Sequence, residues 1–301
     1  MKTLYEKFNS LGQMFQTIAN ANSENTGVIF EGNNYSYNYL EKLSNQIANF
    51  LVSKGVKKSD RIALCCFNSH IFLASYFGIV KAGASVVAIN YLLNPQEIKF
   101  ILSDSGAKGL IYHKAFEQIF SNLLDSNQIE IKIVIGYSNN IKVHPIDKII
   151  SDENNYFKPV WIDQREDLAA IFYTSGTTGK PKGVMLTHRN LLFDVDAIIR
   201  FISLSKRDIF ISVLPMFHAF GATVCMLVPA VLGACIVAIP KFNPEQTIKT
   251  IGETRATIFV GVPAMYVMLT RVSDKVKWDF SSLRFCVSGG AALSTKVLEE
   301  F

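Results

Sequence analysis

The sequence predicts an α/β protein of doubly wound, mostly parallel sheets sandwiched with helices. Short apolar runs alternate with stretches of helical period between residues 61 and 135, the order that lays parallel strands side by side with helices across their faces. Further runs, such as 168–173 and, but for Ser212, 209–214, are apolar, as strands covered on both faces are. With 301 residues, 49% of them hydrophobic, the chain can bury a large core and hold one big or two ordinary domains.

Taken in order, 28–31 and 35–37 flank Gly32-Asn33-Asn34, which reads as a hairpin. Leu40, Leu43, Ile47, Phe50 and Leu51 recur at helical spacing, with Gly55 as the stop. Then come a strand at 61–66, a helix at 71–81 ended near Gly83, and a strand at 86–89. Asn94-Pro95-Gln96-Glu97 opens a helix with a cap residue, a proline at its first position and an acid in its first turn. Strands follow at 109–112 and 131–135. The polar segment 137–166 reads as a connection with a short helix at 146–150, so a boundary is expected near Glu166, dividing the chain into 1–165 and 166–301. Beyond it lie a strand at 168–173, a short one at 184–186, and a helix capped by Thr187-His188-Arg189-Asn190, in which His188 reads as structural. A strand at 209–214 leads to Pro215-Met216-Phe217-His218-Ala219-Phe220-Gly221. The strand at 256–260 ends at Gly261-Val262-Pro263 before a helix, and 283–287 leads into Ser288-Gly289-Gly290-Ala291.

Residues 209–240 contain no Lys, Arg, Asp or Glu, which is long enough to span a bilayer. Pro215, Gly221, Pro229 and Gly233 cut the stretch, so a buried helix followed by a buried strand is expected instead of a transmembrane span; peripheral contact with a membrane stays open. The net charge of +5 is spread without blocks, which implies no nucleic acid and is compatible with an anionic small ligand. The five cysteines form no C-x-x-C pair and sit mostly in apolar runs, and the five histidines lie far from them in sequence, so neither zinc nor any other metal site is expected. Free thiols and the absence of a signal-peptide pattern suit a cytoplasmic protein.

The stretch that organises the chain is Thr174-Ser175-Gly176-Thr177-Thr178-Gly179-Lys180-Pro181-Lys182-Gly183, a loop between two strands. Its glycines let backbone N–H groups converge on an anion, its hydroxyls add donors, and Lys180 and Lys182 add charge of the sign a polyphosphate needs. The G-x-x-x-x-G-K-[ST] spacing of the common P-loop fails here, and a strand rather than a helix follows. The plain alternative is a Gly/Thr turn with a solvated lysine pair.

The run from Tyr173 through Asn190 resembles the phosphate loop of the adenylate-forming (acyl-activating, AMP-binding) enzymes, a superfamily of fatty acyl-CoA and aryl-CoA ligases, luciferases and amino-acid adenylation domains. Residues 90–98 and 102–108 are similar to the same region of fatty acyl-CoA ligases. The resemblance implies the large N-terminal domain of an acyl-CoA synthetase, incomplete and lacking the small C-terminal domain. It implies ATP, Mg2+ and coenzyme A as cofactor and co-substrates and a small-molecule carboxylic acid as partner. Thr174, Ser175, Gly176, Thr177, Thr178, Gly179, Lys180 and Lys182 would hold the phosphates, with Lys182 and Thr178 as the catalytic choices. Gly289, Gly290 and Ala291 match the adenine-side turn. Phe217, His218 and Gly221 match the motif lining the acyl pocket, and Gly261 a stretch beside it. The segment 215–221 holds no acid to pair a substrate ammonium, so a plain acid, a fatty acid first, is expected over an amino acid. Family features for magnesium, ribose and the catalytic lysine fall beyond Phe301, so this chain reads as an N-terminal fragment inactive alone. The rivals are an enzyme of the same superfamily that activates an aryl or other carboxylic acid, a non-catalytic nucleotide- or acyl-binding module, and a membrane protein built on 209–240.

Overall fold

The structure, a computed structural model, describes residues 2–124, 129–151, 154–174, 180–272 and 279–301. The chain opens with α1 (Leu4–Lys7), α2 (Leu11–Ala21), β1 (Thr26–Phe30), β2 (Asn33–Ser36) and α3 (Tyr37–Ser53). The alternating region follows as β3 (Arg61–Cys65), α4 (His70–Lys81), β4 (Ser85–Ala88), α5 (Pro95–Ser105), β5 (Gly109–His113), α6 (Glu117–Leu124), β6 (Ile131–Ile135), β7 (His144–Pro145) and α7 (Ile146–Ile150). Next come β8 (Leu168–Thr174), β9 (Lys182–Thr187), α8 (His188–Phe201) and β10 (Ile209–Ser212). After β10 a helix runs through α9 (Ala219–Ala222), a π turn (Thr223–Leu227) and α10 (Val228–Leu232). The remaining elements are β11 (Cys235–Ala238), α11 (Pro244–Thr254), β12 (Ile258–Gly261), α12 (Pro263–Val272), β13 (Phe285–Ser288) and α13 (Thr295–Glu300).

Local chemistry sets the boundaries. Asn94 and Glu97 complete a reciprocal capping box on α5, Pro95 enters its first turn, and Gly106 closes it in the left-handed region at φ 62°. The first hairpin turns on two residues, Glu31 and Gly32, both at positive φ (50° and 78°), the geometry whose twist matches antiparallel strands. Asn33 and Asn34, expected in the turn, pair within β2 instead.

Two sheets result, ordered β7-β6-β5-β3-β4-β8-β9 and β13-β12-β10-β11-β1-β2, each parallel except for an antiparallel edge strand. Side-chain alternation along each strand divides the core into three parts. Ile62 and Leu64 of β3, Val86 and Ala88 of β4, and Ile236 and Ala238 of β11 all point into one middle cluster, shared with α2, α3, α4, α8 and α10. Ala63, Cys65 and Val87 face the opposite way, against Ile98, Ile101 and Leu102 of α5. Val237 and Ile239 meet Ile248 and Ile251 of α11 and Leu269 of α12. The molecule is therefore layered helix, sheet, helix, sheet, helix, which is the doubly wound α/β class expected.

The sheets do not divide the chain at residue 165. β1 and β2 join the sheet of the second half, Val28 pairing with Ile236, while β8 and β9 complete the sheet of the first half, Val86 pairing with Ala170. The boundary near Glu166 is thus not the border between sheets; a polar connection marks where the chain leaves the core, not where it returns. The uncharged stretch 209–240 resolves into buried strand, helix and strand, and among the described residues no helix is long and apolar enough to cross a membrane.

Candidate active site

β10 occupies the point where its sheet reverses winding, with β11 on one side and β12 on the other. Ligands of open α/β sheets bind outside the carboxyl ends of strands at such points. The chain leaving β10 is held there by the first sheet. Asn68, 4% exposed and just before the Ser69 cap of α4, donates from Nδ2 to the carbonyls of Ser212 (3.1 Å) and Leu214 (2.9 Å), and its Oδ1 accepts from Met216 N (2.9 Å). Sequence reasoning missed Asn68; a polar residue between an apolar strand and a helix cap was the available signal.

Pinned in this way, the 215–220 turn forms a wall with two faces. Phe217 and His218 look into a cleft of about 370 Å3, whose other walls include Asn90 after β4, Tyr173 and Thr174 at the end of β8, and Pro181. Phe217 is buried, with its ring 4.9 Å edge-on to Tyr91. His218 is exposed rather than a core histidine; partial burial still lowers its imidazole pKa, which favours the neutral form that can accept or donate a hydrogen bond.

Ala219 and Phe220 face the other way, into an apolar cavity of about 510 Å3 between α8 and the second sheet. Its sheet wall includes Phe210, Ile258, Val260 and Val287.

The β8–β9 hairpin carries the predicted phosphate-binding residues. Tyr173 pairs with Gly183, and Thr174 with Lys182. A Cβ on Gly183 would lie 3.0 Å from the Tyr173 ring, so glycine lets that ring lie across β9. The Tyr173 hydroxyl donates to Asp104 Oδ2 at 2.6 Å, and burial with this bond holds the phenol protonated well above its usual range. Lys180 Nζ sits 5.9 Å from the centre of the Phe100 ring. Both Asp104 and Phe100 belong to α5, which thus braces the hairpin from outside. Ser175, Gly176, Thr177, Thr178 and Gly179 lie outside the described residues. Lys180 and Lys182 are exposed and, among the described residues, have no ion-pair partner, so the charges at the hairpin's end suit an anion.

Gly289, Gly290 and Ala291 follow β13. Gly289 N donates to Gly261 O at 3.1 Å, and a Cβ on Gly289 would fall 2.5 Å from the Phe220 ring. The expected adenine-side turn and the expected acyl motif are therefore in contact through Phe220. Gly290 takes φ 81°, and Ala291 is exposed. Gly221 and Gly261 line neither cavity; their requirement for glycine is steric. A side chain on Gly221 would collide with the carbonyl of Pro215, and one on Gly261 would meet the rings of Phe259 and Tyr266 at 3.2 Å. His188 is buried, and its Nδ1 accepts from Leu11 N at 3.1 Å, a structural role. Among the described residues no group of three His, Cys, Asp or Glu is placed to hold a metal.

Two mostly parallel sheets meeting at a cleft beside the β8–β9 hairpin define an α/β protein of the doubly wound class. The family described as AMP-binding enzyme matches residues 15–301, and the chain belongs to that family. It is 28% identical over 305 residues to a long-chain-fatty-acid–CoA ligase of Bacillus subtilis, a match covering 92% of this chain and 54% of that protein. The chain thus spans about half the length of this relative. Among solved structures it superposes on the anthranilate CoA ligase AuaEII in complex with anthranoyl-AMP with a TM-score of 0.93 at 26% identity, over 100% of this chain and 59% of that one. A long-chain-fatty-acid–CoA ligase (FadD1) from Archaeoglobus fulgidus gives 0.90 at 26% identity, over 97% and 59%. The fold is that of the N-terminal domain of acyl-CoA ligases.

Proposed function

We propose that this chain provides the ATP and acid sites of an AMP-forming acid–thiol ligase, and that the acid is a fatty acid. The observation that carries the reading is the 215–220 turn, whose Phe217 and His218 face the mixed cleft beside the hairpin, lined also by Asn90, Glu97 and Thr174, while Ala219 and Phe220 face the apolar cavity. A molecule with an anionic head and a hydrocarbon body has both surfaces it needs within one turn. The cavity's apolar lining supports an alkyl chain; the anthranilate ligase among its structural relatives supports an aryl acid as the second reading.

In the reaction proposed, a carboxylate oxygen of the acid attacks the α-phosphorus of ATP, the bond to the bridging oxygen breaks, and pyrophosphate leaves with the bonding pair. The thiol of coenzyme A then attacks the acyl carbonyl, loses its proton, and displaces AMP. Negative charge grows on the departing pyrophosphate, where Lys182 and the hydroxyl of Thr178 are the first choices as donors. Removing one such donor typically costs about 3 kcal/mol of barrier. Thr174, Lys180 and the rest of the hairpin would hold the other phosphate oxygens, and Gly289, Gly290 and Ala291 the base. His218, whose neutral form partial burial favours, would offer a hydrogen bond near the carboxylate.

The test uses the full-length protein. Lys182→Ala and Thr178→Ala should each weaken adenylate formation, read as pyrophosphate release over a panel of alkyl and aryl acids, by about a hundredfold. Unchanged ATP affinity and unchanged pyrophosphate release in both variants would remove the hairpin from the mechanism. Preference for aryl acids across the panel would select the second reading.

A further inference from the structure

The wall that α8 gives the apolar cavity contains one feature that an alkyl chain does not require. Asn190, Asp194 and Ile198, at four-residue spacing, form one stripe along the helix and line the cavity together. The Asn190 side chain is engaged in the helix cap, its Oδ1 accepting from Thr187 N and Thr187 Oγ1, both at 2.9 Å. Ile198 is apolar. Asp194 lies between them, the ionisable side chain among the lining residues, and within the described residues it has no hydrogen-bond or ion-pair partner. Asp196, two residues on, shows what a structural acid does on this helix: it accepts from Leu4 N at 2.9 Å and pairs with Arg200 at 2.5 Å. Asp194 makes no such contact; it is exposed at the rim of the cavity, whose lining it shares with Phe210, Val260 and Val287.

A ligand body passing that carboxylate strips part of its water. The loss is offset where the ligand presents a hydroxyl, an amine or an ammonium, and it is compounded by repulsion where the ligand presents a second anion. The geometry points to Asp194 as a specificity-determining residue of the acid site: it favours monocarboxylic acids bearing a hydrogen-bond donor or positive charge on the chain and rejects dicarboxylic acids. This donor lies along the body of the acid, away from the reacting carboxylate. The assignment rests on the cavity's being the acid-binding site, as proposed above.

The experiment measures pyrophosphate release by the full-length enzyme with plain, ω-amino, ω-hydroxy and α,ω-dicarboxylic acids, from hexanoic to dodecanoic length. The parent should prefer the ω-amino over the dicarboxylic acid of some one length, relative to the plain acid. Asp194→Asn should lower that kcat/KM ratio about fivefold or more, and Asp194→Lys should invert it. Turnover with ratios unmoved by both substitutions would overturn the role of Asp194 while leaving the ligase reading intact. If no acid is turned over, the ligase reading fails, and Asp194 is then decided by calorimetric binding of dodecylammonium against dodecyl sulfate to this chain. Asp194→Asn should shift that affinity ratio by a similar factor, and an unshifted ratio overturns the proposal.

Discussion

Replacing Asn68 with alanine tests whether the first sheet holds the site of the second. The side chain makes three hydrogen bonds in a buried setting, and their loss is unequal. The Ser212 carbonyl keeps a second donor, Ile239 N at 3.0 Å, so it is not orphaned. The Leu214 carbonyl and the Met216 N–H lose their amide partner. Two buried backbone groups at about 1–3 kcal/mol each bound the cost, and water entering the vacated space trims it, so a loss of about 3 kcal/mol is expected. Asn68→Asp keeps the acceptor for Met216 N but sets a carboxylate oxygen against two carbonyls, and should be at least as destabilising. The assay is urea unfolding of the chain followed by circular dichroism, alongside ATP and acid binding to the full-length protein. A loss under about 1 kcal/mol for Asn68→Ala, or parental stability for Asn68→Asp, would refute the idea that this amide sets the position of the 215–220 turn.

Gly221→Ala should lower the thermal midpoint measurably and weaken acid binding, because its methyl group meets backbone, the Pro215 carbonyl, which cannot rotate aside. Lys81, fully buried, is held by Glu41 at 2.6 Å and by Ser44 and Asn45 at 2.8 Å each; Lys81→Met should cost about 3–5 kcal/mol by stranding Glu41, and Lys81→Met with Glu41→Leu should recover most of it in equilibrium unfolding. Burial lowers the His188 pKa from 6.5 to about 4, so the unfolded chain binds the proton first as pH falls. This residue imposes no penalty above pH 6.5; below it stability declines until pH reaches about 4, by about 3 kcal/mol in all, and His188→Asn should flatten that slope in unfolding curves taken across the range.

What the sequence revealed depended on whether a signal was local. The α5 cap, the Gly55 and Gly83 stops and the short helix at 146–150 are written in neighbouring residues, and all are present. Strand existence was readable from apolar runs, but strand partners were not. Nothing in the period of 26–30 says that β1 lies beside β11, because pairing is decided by which helices must share the middle layer. The Pro215-Met216-Phe217-His218 motif could be recognised, yet its support by Asn68 is a tertiary contact to a residue of unremarkable type. The same holds for Asp104 and Phe100, which read as ordinary helix residues until α5 is set against the hairpin.

The cleft draws its walls from both sheets, and this shapes how a ligand would act on the molecule. Asn90, Tyr173 and Thr174 extend from the carboxyl ends of β4 and β8 in one sheet, whereas Phe217 and His218 extend from β10 in the other. A ligand bridging them must therefore bind the assembled pair of sheets and finds no equivalent site on either alone. Its stabilisation of the fold by mass action is thus shared by both sheets, adding to the middle hydrophobic layer and the Asn68 link that already join them. The 215–220 turn is the narrowest part of this arrangement. Phe220 meets Gly289, Gly221 meets Pro215 and Phe217 meets Tyr91, so the segment dividing the cleft from the apolar cavity is fixed at three points by packing that tolerates little displacement. Under the proposed function, such rigidity would separate recognition of an acid's head from recognition of its body, and would let Asp194 vary the second without disturbing the first.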